Sequence, residues 1–360
     1  MAHCHRFAAL TAGDPPVMLG LWNSRYPGRT MPISRRSFLQ TTGVAGIAGA
    51  FLPALPLPAG AAPLPPADAW QTLREAVGGR LIEPTSPLAP CIEAPGSAAC
   101  NARLALMENP FFLQDEPGGQ QTNGWLDAWT VEVSPYAVAA ESAQDIAAAV
   151  NFAREHGVKL VVKGSGHDYL GRNCAPDSLL VWTHKMRDVA FHEDFRITGD
   201  PDAKPVPALT AAAGTRWVEA YQLATKNDHY VQGGGCTTVG VAGGFIQGGG
   251  FGSFSKHFGT GAGSVLEYEV VTADGEVRIA NAKQNSDLFW ALRGGGGSTF
   301  GIVSKVTLLA HEMPHTMGIL RGKLTADDDD AFRALVGHML RFYREKLENP
   351  YWGEQINIRP

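Results

Sequence analysis

The stretch Gly235-Cys236-Thr237-Thr238-Val239-Gly240-Val241-Ala242-Gly243-Gly244-Phe245-Ile246-Gln247-Gly248-Gly249-Gly250-Phe251-Gly252 sets eight glycines around a single cysteine. Two other stretches share its character. Lys163-Gly164-Ser165-Gly166-His167-Asp168-Tyr169-Leu170-Gly171 carries one histidine on a glycine turn. Asp287-Leu288-Phe289-Trp290-Ala291-Leu292-Arg293 runs into Gly294–Gly297 and then Ser298-Thr299-Phe300-Gly301-Ile302-Val303. The chain has 360 residues and 42 glycines, 13 of them within residues 233–263. Glycine this dense marks tight turns or backbone lying against a ligand. The 24 prolines follow no period, which excludes a collagen-like chain.

Regular elements stand directly before each glycine stretch. Thr130–Val133 and Ala137–Ala140 read as strand. Ser142 with Asp145 forms a capping-box start, and Ile146, Val150 and Ala153 give a helical stripe that Gly157 stops. Val158–Lys163 follows as a buried strand. The pattern repeats with strand Ala208–Ala213, helix Arg216–Lys226 and strand Tyr230–Gln232. Leu266–Thr272 and Val277–Ala280 flank an Asp274-Gly275 turn and predict a hairpin. Asp287–Leu292 reads as a short helix and Gly301–Leu309 as a strand. Beyond Pro314 the character changes to strand Thr316–Lys323, helix Phe332–Leu347 behind the acidic turn Asp327–Asp330, and a strand start at Gln355–Arg359. Residues 62–128 are Pro/Ala/Gly-rich and read as an extension with one helix near Trp70–Ala76.

Composition narrows the function. With 44% hydrophobic and 18% charged residues the chain can bury a core, so general disorder is excluded. A net charge of −5 offers no basic field for a nucleic-acid backbone. No P-loop and no G-x-S-x-G elbow occur, and Gly248–Gly252 lacks the preceding strand of a dinucleotide fingerprint. Ser253–Lys256 matches S-x-x-K without its companion motifs. His311-Glu312-Met313-Pro314-His315 matches H-E-x-x-H, which would make a zinc hydrolase the distant alternative. Pro314 inside the required helix and the preceding strand argue against it, and no metal is expected.

The three glycine stretches, in this order, resemble the vanillyl-alcohol-oxidase superfamily of flavoproteins, and most closely its berberine-bridge-enzyme-like branch with bicovalent FAD. The resemblance covers residues 129–312. It implies an α+β, two-subdomain FAD-binding domain over 129–312, with the beginning of an α+β substrate domain at 313–360. In that branch a histidine of an Arg-x-Gly-Gly-His turn bonds the flavin 8α carbon, and a cysteine of a Cys-x-Thr-x-Gly-x-Gly-Gly stretch bonds C6. His167 and Cys236 match those positions, and both are nucleophiles suited to an electrophilic ring. The cofactor contacts implied are Gly164, Ser165, Gly166, His167 and Asp168 in the first stretch. In the second they are Cys236, Thr237, Thr238, Val239, Gly240, Gly243, Gly244, Gly249, Gly250 and Gly252, and in the third Gly301, Ile302 and Val303.

Lys163 stands where the family usually has arginine, Ala242 where the branch has glycine, and Gly244 where it often has histidine or asparagine. Val239 occupies the oxygen-gate position with an oxidase-type residue. The function implied is an FAD-dependent oxidoreductase that takes a hydride from an alcohol, sugar or secondary metabolite, with O₂ as electron acceptor. Family members continue well past Pro360, so the catalytic base is expected beyond it. Tyr169 and His257 are candidates only for flavin-side contacts. A truncated, non-catalytic flavin-binding remnant is the alternative.

Ser34-Arg35-Arg36-Ser37-Phe38-Leu39 before the apolar run Val44–Leu57 reads as a twin-arginine export signal over 31–61, with Ala59-Gly60-Ala61 as cleavage site. Residues 1–30 read as a mis-assigned start. The translocase is thus an expected partner, and the destination periplasmic or secreted, with no membrane span in the mature chain. Cys91 and Cys100 are candidates for a disulfide there.

Overall fold

Ser142 opens the helix that organises the molecule. In the computed structural model, which describes residues 64–120, 132–314, 316 and 318–359, its hydroxyl accepts from the Asp145 amide and the Asp145 carboxylate accepts in return. The described residues belong to one compact unit, Ala61–Pro360; a second, Met1–Gly60, lies outside them, and so does the export signal.

The N-terminal segment forms α1 (Ala67–Ala76), β1 (Leu81–Ile82), α2 (Ala89–Glu93), α3 (Ala98–Leu106) and α4 (Phe112–Asp115). β2 (Tyr136–Ala139) leads into the capped helix α5 (Ala143–His156), which Gly157 ends in the left-handed conformation. β3 (Lys159–Lys163) and β4 (Ser178–Trp182) follow. These strands form a sheet in the order β1-β2-β4-β3, parallel except for β1.

A second, antiparallel sheet contains β5 (Val189–Phe195), β6 (Val206–Ala212), β7 (His229–Val231), β8 (Val265–Val271), β9 (Val277–Asn281) and β10 (Ile302–Glu312). Its order is β5-β6-β10-β8-β9, and β7 pairs with the end of β10. Helices α6 (Trp217–Lys226), α7 (Gly244–Gln247), α8 (Ser255–Phe258) and α9 (Ser286–Leu292) lie between its strands in sequence, and α10 (Asp329–Phe342) follows it.

Two apolar cores result. Ile146, Ala149 and Val150 of α5 pack with Val138, Leu179 and Val181 of the first sheet. Ala212, Val271 and Ile302 of the second sheet join the same cluster, so α5 lies where the sheets meet. Each large side chain buried there contributes about 1.5–3 kcal/mol. On the other core, Trp217 and Ala220 of α6, Ile246 of α7 and Leu292 of α9 cover Leu209, Tyr268 and Val306.

Several expectations need correction. The N-terminal extension holds four helices and a strand rather than the one helix expected. The Cys91–Cys100 disulfide is present as expected, with Cα atoms 4.5 Å apart. Glu132 and Val133 are not strand, and Thr130 lies outside the described residues. β4 and β5 went unread. β4 is buried along its whole length, so it shows no alternation, as expected of an interior parallel strand. Gly318–Lys323 and Gln355–Arg359 form no strand. Their apolar residues, including Ile319, Leu320, Ile356 and Ile358, are exposed without a sheet partner, and alternation alone does not make a strand. α10 ends at Phe342 and continues as a wider turn over Tyr343–Leu347.

At Gly301, φ is +152°, and a Cβ would lie 2.7 Å from Val270 Cγ2 and 2.8 Å from the Val271 carbonyl oxygen. Gly301→Ala is therefore expected to destabilise the fold by about 1–3 kcal/mol through overpacking. Thermal unfolding checks this; an unchanged midpoint would show that β10 can shift away from β8.

Candidate functional site

β3 delivers the first glycine stretch to the site. The Gly240 amide donates to Ser165 Oγ at 2.9 Å, tying that stretch to the second one. The second is itself held by α6, whose first amides lack helical partners. Trp217 N–H donates to the Val239 carbonyl and Val218 N–H to that of Thr237, both at 2.9 Å. The third stretch closes on the second through Gln247. Its side chain donates to the Ala242 carbonyl at 2.8 Å and accepts from Ser298 N–H at 3.3 Å, while its own carbonyl accepts from Gly296 N–H at 2.9 Å. A Cβ on Gly297 would come within 2.9 Å of Gly244 Cα, so those backbones touch.

The chemistry-bearing groups meet at one hydroxyl. Thr238 Oγ1 lies 2.9 Å from His167 Nε2 and 3.6 Å from Cys236 Sγ. Imidazole and thiol are thus separated by no more than the sum of those two distances. Gln114, on α4, completes the group: its amide nitrogen donates to the Thr238 carbonyl at 2.6 Å and lies 3.3 Å from His167 Nε2.

Glycine is required for different reasons at different positions. At Gly250, Gly252 and Gly301 a Cβ would strike Phe245, the Gly233 carbonyl and Val270 respectively, so local packing accounts for them. At Gly235, Gly243 and Gly244 no atom of the described residues lies within 4 Å of a Cβ, and φ is not positive. Neither packing nor backbone conformation explains those three. They leave backbone facing open space, which suits the approach of a broad ligand.

The other expected site residues fall outside the cluster. Ile302 and Val303 are buried strand residues paired with β8. Asp168 holds its own loop, accepting from Leu170 N–H, Arg172 N–H and the Arg172 guanidinium. Burial works against its charge, but these bonds hold the carboxyl below its ordinary range. Tyr169 is exposed, and the His257 ring packs edge-on against Phe258. His311 and Glu312 end β10, opposite Tyr230 and His229, rather than sharing a helix; His315 lies outside the described residues. Among the described residues no three His, Cys, Asp or Glu side chains cluster to hold a metal, and no helix is long and apolar enough to cross a membrane.

What sequence reasoning missed is the supporting layer. Lys163 is fully buried, and its ammonium donates to the carbonyls of Leu113, Glu116 and Pro117. Burial pushes it down to about 8. Beside it Asp115 Oδ1 lies 2.9 Å from His184 Nε2, yet burial pushes His184 down to about 4 despite that carboxylate. Arg216 lies over the Phe111 ring at 4.6 Å and donates to Gln114 Oε1 at 3.4 Å and to Glu219. No local pattern announces these contacts: Gln114 and Thr238 are 124 positions apart.

The donor set fits a flavin. Two nucleophiles on one hydroxyl stand beside glycine backbone that leaves room for a flat group. Comparison with known proteins agrees. The family model described as an FAD binding domain matches residues 134–281. The FAD-linked oxidoreductase easE of Arthroderma otae is 39% identical over 267 residues, covering 68% of this chain and 44% of that protein. Its namesake in Epichloe festucae var. lolii is 34% identical over 321 residues, covering 82% and 53%. A VAO-type flavoprotein crystal structure from Myceliophthora thermophila C1 superposes with a TM-score of 0.62 at 33% identity, covering 71% of this chain and 49% of that one. The chain spans about half the length of the curated relatives it matches. Residues 134–281 match an FAD binding domain, and the α+β fold is similar to that of the VAO-type flavoprotein.

Lys163→Met would leave three carbonyls without their donor and is expected to destabilise the fold by about 2–3 kcal/mol. The folded pKa near 8 lies below the ordinary 10.5, so between those values the unfolded chain binds more protons and stability rises with pH. Denaturant melts should therefore show wild type gaining on the Met variant from pH 8 to 10.5. Parallel curves would mean that Lys163 does not titrate in that window.

Proposed function

We propose that the chain is an FAD-dependent oxidoreductase of the oxidase type, with FAD attached through both His167 and Cys236. The carrying observation is the Thr238 hydroxyl, which gathers the imidazole and the thiol beside Gly235, Gly243 and Gly244. The relatives named as FAD-linked oxidoreductases support the reaction class. When bound, FAD supplies a two-electron acceptor for a hydride from a substrate C–H bond and returns the electrons to O₂.

The residues of this chain hold and shape the site. Ser165, Gly240 and the first turn of α6 keep the two attachment stretches in register. The open backbone at Gly235, Gly243 and Gly244 admits the ring system without side-chain obstruction. Val239 leaves a small, apolar side chain at the position that the family resemblance associates with oxygen access. The substrate class is a small alcohol, sugar or secondary metabolite. Export through the twin-arginine translocase to the periplasm or outside rests on Arg35 and Arg36 and on the apolar run after them. A doubly tethered cofactor suits that route, because it cannot be lost where it cannot be reloaded.

Mass spectrometry of peptides from purified protein tests the attachment. Wild type should give a flavin adduct joining the His167 and Cys236 peptides. His167→Ala should retain flavin on Cys236 alone, Cys236→Ala on His167 alone, and the double variant should release all flavin on denaturation. Folded wild type with no adduct on either peptide would reject the reading. Gly243→Ala provides a second check. The added methyl meets no atom of the described residues, so stability should stay within about 0.5 kcal/mol of wild type while retained flavin falls.

A further inference from the structure

Gln114 is almost fully buried, at 1% exposure, and every polar atom of its amide faces a group of fixed character or the site. The Thr238 carbonyl can only accept, and it lies 2.6 Å from one amide atom, which must therefore be the nitrogen. The Arg216 guanidinium can only donate, and it lies 3.4 Å from the other, which must be the oxygen. These neighbours set the orientation of the amide independently of His167. The remaining N–H then meets His167 Nε2 at 3.3 Å. An amide N–H can only donate, so Nε2 accepts from it, and the Thr238 hydroxyl at 2.9 Å donates to the same nitrogen.

We infer that Gln114 is a positioning residue that holds the His167 imidazole with Nε2 as a hydrogen-bond acceptor, making the N-terminal segment part of the flavin site. In a neutral imidazole this places the ring proton on Nδ1. The bond persists if the ring is substituted at Nδ1 and is lost if it is substituted at Nε2. The same amide fixes the Thr238 backbone, and Thr238 carries the hydroxyl shared by His167 and Cys236. One side chain thereby orients both attachment points.

The support behind Gln114 is deep. Lys163 binds the carbonyls on either side of it, at Leu113 and Glu116. Asp115 contacts His184, and Arg216 is clamped between the Phe111 ring and Glu219, which also pairs with Arg187. A helix of four residues with no side-chain cap is held in place by these contacts rather than by its own propensity.

The role rests on the flavin reading for its purpose, but its test separates the two. In protein labelled with ¹⁵N-histidine, the His167 resonances, assigned by their loss in His167→Ala, report whether Nε2 carries a proton at neutral pH. Wild type should show Nε2 unprotonated. Gln114→Glu keeps the shape but offers an acceptor, and should give a protonated Nε2. Gln114→Met keeps the volume and removes the donor, and should give a mixture of ring states. In both variants the flavin adduct on the His167 peptide should fall about tenfold, the lower end of the loss when a partner that orients a metal-ligating histidine is removed. A protonated Nε2 in wild type overturns the inference without any variant being needed. So do folded variants with wild-type nitrogen signals and adduct yield. Absence of any adduct in wild type with an unprotonated Nε2 would instead sink the flavin reading and leave the positioning of His167 standing.

Discussion

A buried ammonium joins the two halves of this site. Lys163 closes β3 and opens the first glycine stretch, and it reaches three carbonyls of residues 113–117. Burying a charge without partners costs several kcal/mol, so the N-terminal segment cannot drift away without leaving that cation unpaired. The position of Gln114 follows from this anchorage, and the orientation of His167 and Thr238 follows from Gln114. The departure from arginine at position 163 is thus consistent with the local geometry. A compact ammonium can approach three carbonyls that converge on a point, whereas a planar guanidinium would spread its donors.

The glycines divide into two populations with different physics. Gly252, Gly261 and Gly301 are glycines because protein atoms occupy the place of a side chain. Gly235, Gly243 and Gly244 are glycines where the place is open. Only the second population speaks for a ligand, and it lies beside the residues that can react. The glycine count alone could not make this distinction, because both populations look the same in a sequence.

The central part of the fold was legible because its rules are local. The Ser142–Asp145 capping box, the left-handed stop at Gly157 and the Asp274-Gly275 turn each appear where short-range chemistry places them. The His167 and Cys236 stretches were legible through their family resemblance, and the fold brings them to one hydroxyl. β4 escaped because a strand buried on both faces has no alternation to read. α2, α3 and α4 escaped because helices this short rest on tertiary constraints: the Cys91–Cys100 disulfide joins α2 to α3, and Lys163 binds a carbonyl of α4. The apolar segments after Pro314 erred the other way: they carry strand-like patterning, but no neighbouring strand meets them in the described residues.

The central claim is that three distant segments, residues 111–117, 163–171 and 235–244, form one flavin site. Hydrogen exchange compared between protein made with and without riboflavin supply tests it most directly. The account predicts that cofactor loading slows exchange in all three segments together, with the N-terminal one included. Protection confined to the two glycine stretches, with residues 111–117 exchanging as before, would contradict it.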